Sequence, residues 1–194
     1  CMHNPMITYN WHAQFEDTRP KALYRNLSRR EAVEMAILFF TDTTAGAARV
    51  APAEELLRFA EDQFVVWDST DPAWRERWFR EGAAWEHNTP SGGKDWFLPC
   101  VMEQYVFFTP IASSSGLMIT GYLSAYRETR KPLYHAKAVA LANTLTRAQK
   151  FHGGGEIPTY LREHLPDWNW INVSVWSALT LITHAEELRE EAHD

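Results

Sequence analysis

GYLSAYRETRKPLYHAKAVALANTLTRAQ, residues 121–149, decides how this chain is read. Apolar residues return at helical spacing in both halves, with one sharp break between them. Leu117, Met118, Tyr122 and Tyr126 fall in line, so a helix is expected from Ser113 or Ser114 to about Thr129. Arg130-Lys131-Pro132 ends it. Proline suits the first turn of a new helix, where its missing N–H has no partner to lose. Tyr134, Ala138, Leu141, Ala142 and Leu145 then share one side, until Gly153-Gly154-Gly155 stops the run. Two helices joined by so short a break make an antiparallel hairpin.

The same pattern extends outward. Residues 1–18 lack periodicity and read as an irregular lead-in. Ser28 and Glu31 form a capping box, the hydroxyl accepting from the first turn and the Glu reaching back. The helix it opens, to about Phe40, has Val33, Ala36, Ile37 and Phe40 on one face. Pro52 starts another, with Leu56, Leu57, Ala60 and Phe64 at helical spacing, and Asp71-Pro72 caps a short one carrying Trp74 and Trp78. Residues 158–165 are expected to make one or two turns. The last helix, 172–191, is expected to face the core through Val175, Ala178, Leu179, Ile182 and Ala185. No alternation of period two bounded by hairpin turns stands out. The expectation is one all-α domain over 1–194, built from tandem αα-hairpins in an open solenoid or a closed ring.

The chain's 194 residues suffice for one domain with a core, and 45% apolar with 23% charged residues is ordinary for a globular protein. A net charge of −6 without a basic run excludes a nucleic-acid footprint. No apolar stretch is long enough to span a bilayer. Of the two cysteines, Cys100 lies in an apolar run and reads as a buried free thiol. No CxxC or HExxH spacing occurs, so neither a metal site nor a cofactor is expected. Cys1 at the first position suggests a fragment, or a processed lipoprotein at a bacterial cell surface; cytoplasm and periplasm stay open.

Two loops concentrate the chemistry. They are WEHNTPSGGKDWFLPCVMEQY, residues 85–105, and FHGGGEIPTYLREHLPDWNWIN, residues 151–172. Each is dense in aromatic and hydrogen-bonding side chains beside a helical segment, as in a polar ligand site mounted on a rigid scaffold. With the 121–149 hairpin, GGGEIPTY (153–160), DWNWIN (167–172) and LPCVMEQY (98–105), the chain resembles the six-hairpin, or α/α-toroid, glycosidase-like enzymes, in particular bacterial members that degrade glycans. The resemblance covers roughly residues 50–190. It implies an α/α toroid, incomplete at this length, so that the remainder of the ring in a longer chain, or a homo-oligomer, would complete it. It also implies a carbohydrate partner, uronic or otherwise acidic, and carboxylate acid/base hydrolysis. A lyase, an epimerase and a non-catalytic glycan-binding module are the alternatives on such a scaffold.

Glycoside hydrolysis needs one carboxyl to protonate the leaving oxygen and a second to activate water or attack. Glu103 lies among Leu98, Val101, Met102 and Val106, an apolar setting that suits an acid; its plainer role is a buried partner of an Arg or a helix N-terminus. Asp95 and Asp167 are candidate second carboxyls, Asp167 doubling as an N-cap. His87 and His152 border the two loops. Trp96, Gln104, Tyr105, Tyr160, Trp168 and Asn172 are candidates to line a sugar pocket. Arg147 suits a substrate carboxylate, or an ion pair on the helix surface.

Overall fold

The computed structural model describes residues 29–68, 95–103, 109–153, 155–165 and 169–192. The chain is mostly helical. Helix α1 is Arg29–Thr41 and α2 is Val50–Phe64. Two short 3-10 turns, Thr43–Ala45 and Ala47–Arg49, connect them. Helices α3, Ala112–Thr129, and α4, Pro132–Phe151, follow with the expected break. Arg130 makes that break by taking the left-handed conformation, φ 55°, while its N–H caps Tyr126 O at 2.8 Å. Helix α5 is Ile171–Thr183, followed by a 3-10 tail, Glu187–Ala192.

The helices form two layers. In one, α3 packs between α1 and α5; in the other, α2 and α4 back onto α1 and α3. The small-residue face of α1 (Ala32, Val33, Ala36) and the Ala-rich face of α4 (Ala138, Leu141, Ala142, Leu145) both end buried. Gly121 lets α1, α2 and α3 meet closely. A Cβ there would stand 2.9 Å from Val33 Cγ1 and 3.1 Å from Leu57 Cδ1. Arg49, at the end of the turn that joins α1 to α2, pairs with Glu128 near the end of α3 at 3.0 Å, and Arg127 pairs with Glu187 just beyond α5. These pairs bring the C-terminal ends of α1, α3 and α5 together, so the three run in the same direction and α2 and α4 run against them.

The other end of the layers carries a three-stranded antiparallel sheet that the sequence reading did not anticipate. Strand β1, Val65–Val66, pairs with β2, Cys100–Glu103, which pairs with β3, Thr109–Pro110. The registers are Val65 with Val101 and Met102 with Pro110. Strands of two to four residues are too short for an alternation to register. The helix that begins at Pro52's turn therefore stops at Phe64, and Val-Val crosses into the sheet. Residues 158–165 are extended, not helical: Ile111 bridges Tyr160 and Trp96 bridges Arg162.

The buried face of α5 also differs from the expected one. Val173, Ser174 and Ser177 are buried, whereas Val175, Leu179 and Ile182 are exposed. Helix α5 is apolar on nearly every side, so periodicity could not choose a face. Close approach to α3 chose it: Gly116 sits against Thr180, with 3.1 Å from a Cβ position to Oγ1. The tail expected as helix to 191 instead turns at 184–186. Ser28, Trp74, Trp78 and the lead-in lie outside the described residues. Among the described residues, no helix is long and apolar enough to cross a membrane.

Candidate functional site

Segment 95–103 is tied at both ends to the chain around α3. Its second half is strand β2. Its first half is held by backbone bonds, Phe97 N to Leu161 O at 3.0 Å and Glu163 N to Asp95 O at 2.9 Å. Leu161 N in turn donates to Pro110 O at 3.0 Å, and Ala112 N to Thr159 O at 2.9 Å. Segments 95–103, 109–112 and 159–163 thus interlock at the N-terminal ends of α3 and α5. Both expected site loops contribute to this assembly.

Glu103 ends β2, half-buried, and accepts a hydrogen bond from Ser114 Oγ at 3.0 Å. Ser114 stands in the first turn of α3, so the contact couples the strand end to a helix N-terminus. Asp95 is buried. Arg162 approaches its Oδ2 at 3.2 Å through both Nε and a terminal nitrogen, and His164 Nδ1 lies 3.7 Å away. His152 Nε2 lies 2.8 Å from Arg162 O. The rings of Phe97, Phe151 and His152 cluster edge to face at 5.0 to 6.1 Å. Arg147 donates to Leu98 O and, at 3.3 Å, to Thr144 Oγ1.

Trp96 and Tyr160 are buried at 7% and 4% exposure, which turns their rings into the packing between loop and helix. Burial pushes the Tyr160 phenol up to about 12, so it stays protonated at neutral pH. Thr159 Oγ1 accepts from Trp170 N at 2.7 Å and fixes the entry to α5. Asn172 is exposed in the first turn of α5. Gln104, Tyr105, Asp167, Trp168 and His87 lie outside the described residues.

The helix N-terminus expected as Glu103's plainer partner is that of α3, through Ser114, whereas two partners escaped the sequence reading, Arg162 and His164. The signal for these two was present, because Arg-Glu-His at 162–164 is a charge cluster between Gly- and Pro-rich turns facing a loop that carries Asp95. A second polar cluster was also missed. Lys137 Nζ on α4 lies 2.5 and 2.7 Å from the two Glu61 oxygens of α2, and Tyr122 of α3 donates to Glu61 Oε2 at 2.9 Å. The same ammonium stands 5.6 Å from the ring centres of Trp67 and Tyr122. Burial and the neighbouring Glu61 push the Tyr122 phenol well up. Next to it, Tyr134 donates to Glu54 at 2.7 Å, and Lys131 joins the same carboxylate. These groups satisfy one another and tie α4 to α2.

The arrangement offers one half-buried carboxyl with an oriented neighbour, Glu103, and one buried carboxylate committed to a guanidinium, Asp95. Comparison with protein-family models, curated proteins and solved structures finds no match to this chain.

Proposed function

We propose that the two-layer arc is a sector of an α/α toroid, and that the chain is a glycoside hydrolase acting on acidic glycans with Glu103 as its proton-transferring carboxyl. The observation that carries this reading is the half-buried Glu103 carboxyl, oriented by Ser114 at 3.0 Å beside the N-terminus of α3. The alternation of direction, with α1, α3 and α5 parallel and α2 and α4 reversed, supports the toroid. The N-terminus of α3, beside Glu103, brings partial positive charge to that point of the loop end, which favours an anionic group there. A second carboxyl is required, and Asp95 and Asp167 are the proposed candidates. Asp95 has its carboxylate engaged by Arg162, so a substrate using it would displace that ion pair.

A non-catalytic glycan-binding module is the second reading. It is favoured by the commitment of Asp95, a candidate second carboxyl, to the Arg162 guanidinium. Glu103→Gln separates the two, because the amide keeps the shape and can still accept from Ser114. The hydrolase reading expects wild type to release reducing ends from uronic-acid-containing oligosaccharides. The variant should turn over at least about 100-fold more slowly with binding retained. Binding without turnover in both forms supports the module. Equal turnover in both forms removes Glu103 from the chemistry.

A further inference from the structure

Helix α5 presents an apolar face that nothing in the described structure covers. Ile171 is 76% exposed, Val175 50%, Trp176 65%, Leu179 48% and Ile182 71%. From Ile171 to Thr183 the helix carries no charged residue. A helix with no charged stripe and large apolar side chains towards water belongs against a partner, because a surface helix presents a polar face to water. Taking standard side-chain areas, this face exposes on the order of 600 Å² of apolar surface, at the upper limit for a monomer.

We propose that this face pairs α5 with α5 of a second copy of the chain, antiparallel about a two-fold axis near Trp176. Three observations select a second copy in this orientation. The exposed apolar positions are disposed almost evenly about the helix centre. Reversing the helix sets Ile171 against Ile182 and Val175 against Leu179, which is the self-complementarity a two-fold contact requires. The area is most of the about 800 Å² per partner that a stable dimer buries. Charge decides against a parallel pairing. The residues after α5 include exposed Glu186, and an antiparallel partner sets that carboxylate near the positive N-terminal end of the other α5. A parallel partner would set two such acidic ends together. The inference concerns a different face from Glu103 and does not depend on the hydrolase reading; it is an alternative to continuing the ring across α5.

The test is sedimentation equilibrium of the full chain over a concentration series, with Trp176→Glu and Ile182→Glu as variants and circular dichroism as the control for folding. Wild type is expected at twice the chain mass, with association weakened about 30-fold or more in each variant at unchanged helix content. Should Trp176→Glu unfold, Ile182→Glu, at a more exposed position, carries the test alone. Oxidation of the double variant Ile171→Cys, Ile182→Cys is expected to give a covalent dimer that neither single substitution gives. A monomeric wild type overturns the inference and assigns the face to another part of the chain or to a different partner. A dimer indifferent to both Glu substitutions overturns it equally.

Discussion

Gly121 is where three helices press on one atom position. Adding a methyl group there meets Val33 Cγ1 at 2.9 Å, and a β-branched side chain on a helix has little freedom to move aside. Gly121→Ala is therefore expected to destabilise by about 1–2 kcal/mol, despite the better helix propensity of Ala. That corresponds to a melting temperature lower by about 3–6 °C. Gly116→Ala meets only Thr180 Oγ1 at 3.1 Å, and the expected loss is smaller. Thermal unfolding of both variants checks the order; a Gly116 loss exceeding that of Gly121 would mean that α1, α2 and α3 do not converge at Gly121. Lys137 is a second decisive residue. Its side chain is 20% exposed and that of Glu61 17%, so the pair is largely withdrawn from water. Lys137→Met leaves Glu61, among the described residues, with only the Tyr122 hydroxyl, and the expected cost is about 2 kcal/mol, below the full penalty for breaking a deeply buried pair. Chemical denaturation reads this directly, and an unchanged midpoint would contradict it.

At the scale of elements, the 3-10 tail depends on one carboxylate. Glu187 takes hydrogen bonds from Arg127 and contacts His184 at 3.2 Å, and its backbone carbonyl lies 2.6 Å from His135 Nε2. The Arg127 hydrogen bond, reinforced by His184, holds the Glu187 carboxyl below its usual value of 4.5 against the opposing pull of burial. Its folded-state value is thus below the unfolded one. The stability it contributes is complete above about pH 4.5 and is lost as pH falls through the folded value. Wild type is therefore expected to lose more stability than Glu187→Gln between about pH 5 and pH 3. Parallel acid dependences of the two melting temperatures would contradict the docking of the tail through this residue. The elements also explain how far the sequence could be read. The hairpin from Ala112 to Phe151 was legible because Pro132 and the glycines punctuate two amphipathic runs. Helix α5 was legible as a helix but not in its orientation, because an apolar residue stands on every side. The strands were illegible because their pairing is long-range and each is only two to four residues long. Glu103 was singled out from its apolar neighbours, yet its partner Ser114 is eleven residues away, and only folding of β3 back onto β2 brings the two together.

At the scale of the molecule, charge and packing divide the labour between the layers. The layer of α1, α3 and α5 meets through Gly121, Gly116 and small side chains, and α2 and α4 are joined by Glu54, Glu61, Lys131, Tyr134 and Lys137. The ion-paired end near Glu128 and Glu187 is closed, whereas the opposite end gathers the sheet, the two loops and the N-termini of α3 and α5. On the function proposed above, that is the end that takes a ligand. The central claim, that this end takes an acidic glycan, is tested most directly by calorimetric titration of the folded chain with matched neutral and uronic-acid-containing oligosaccharides. The account predicts saturable binding of the acidic series, weakened by salt and by Glu103→Gln far less than turnover is. Absence of binding to either series by protein of native helix content, or equal binding of both, would contradict it.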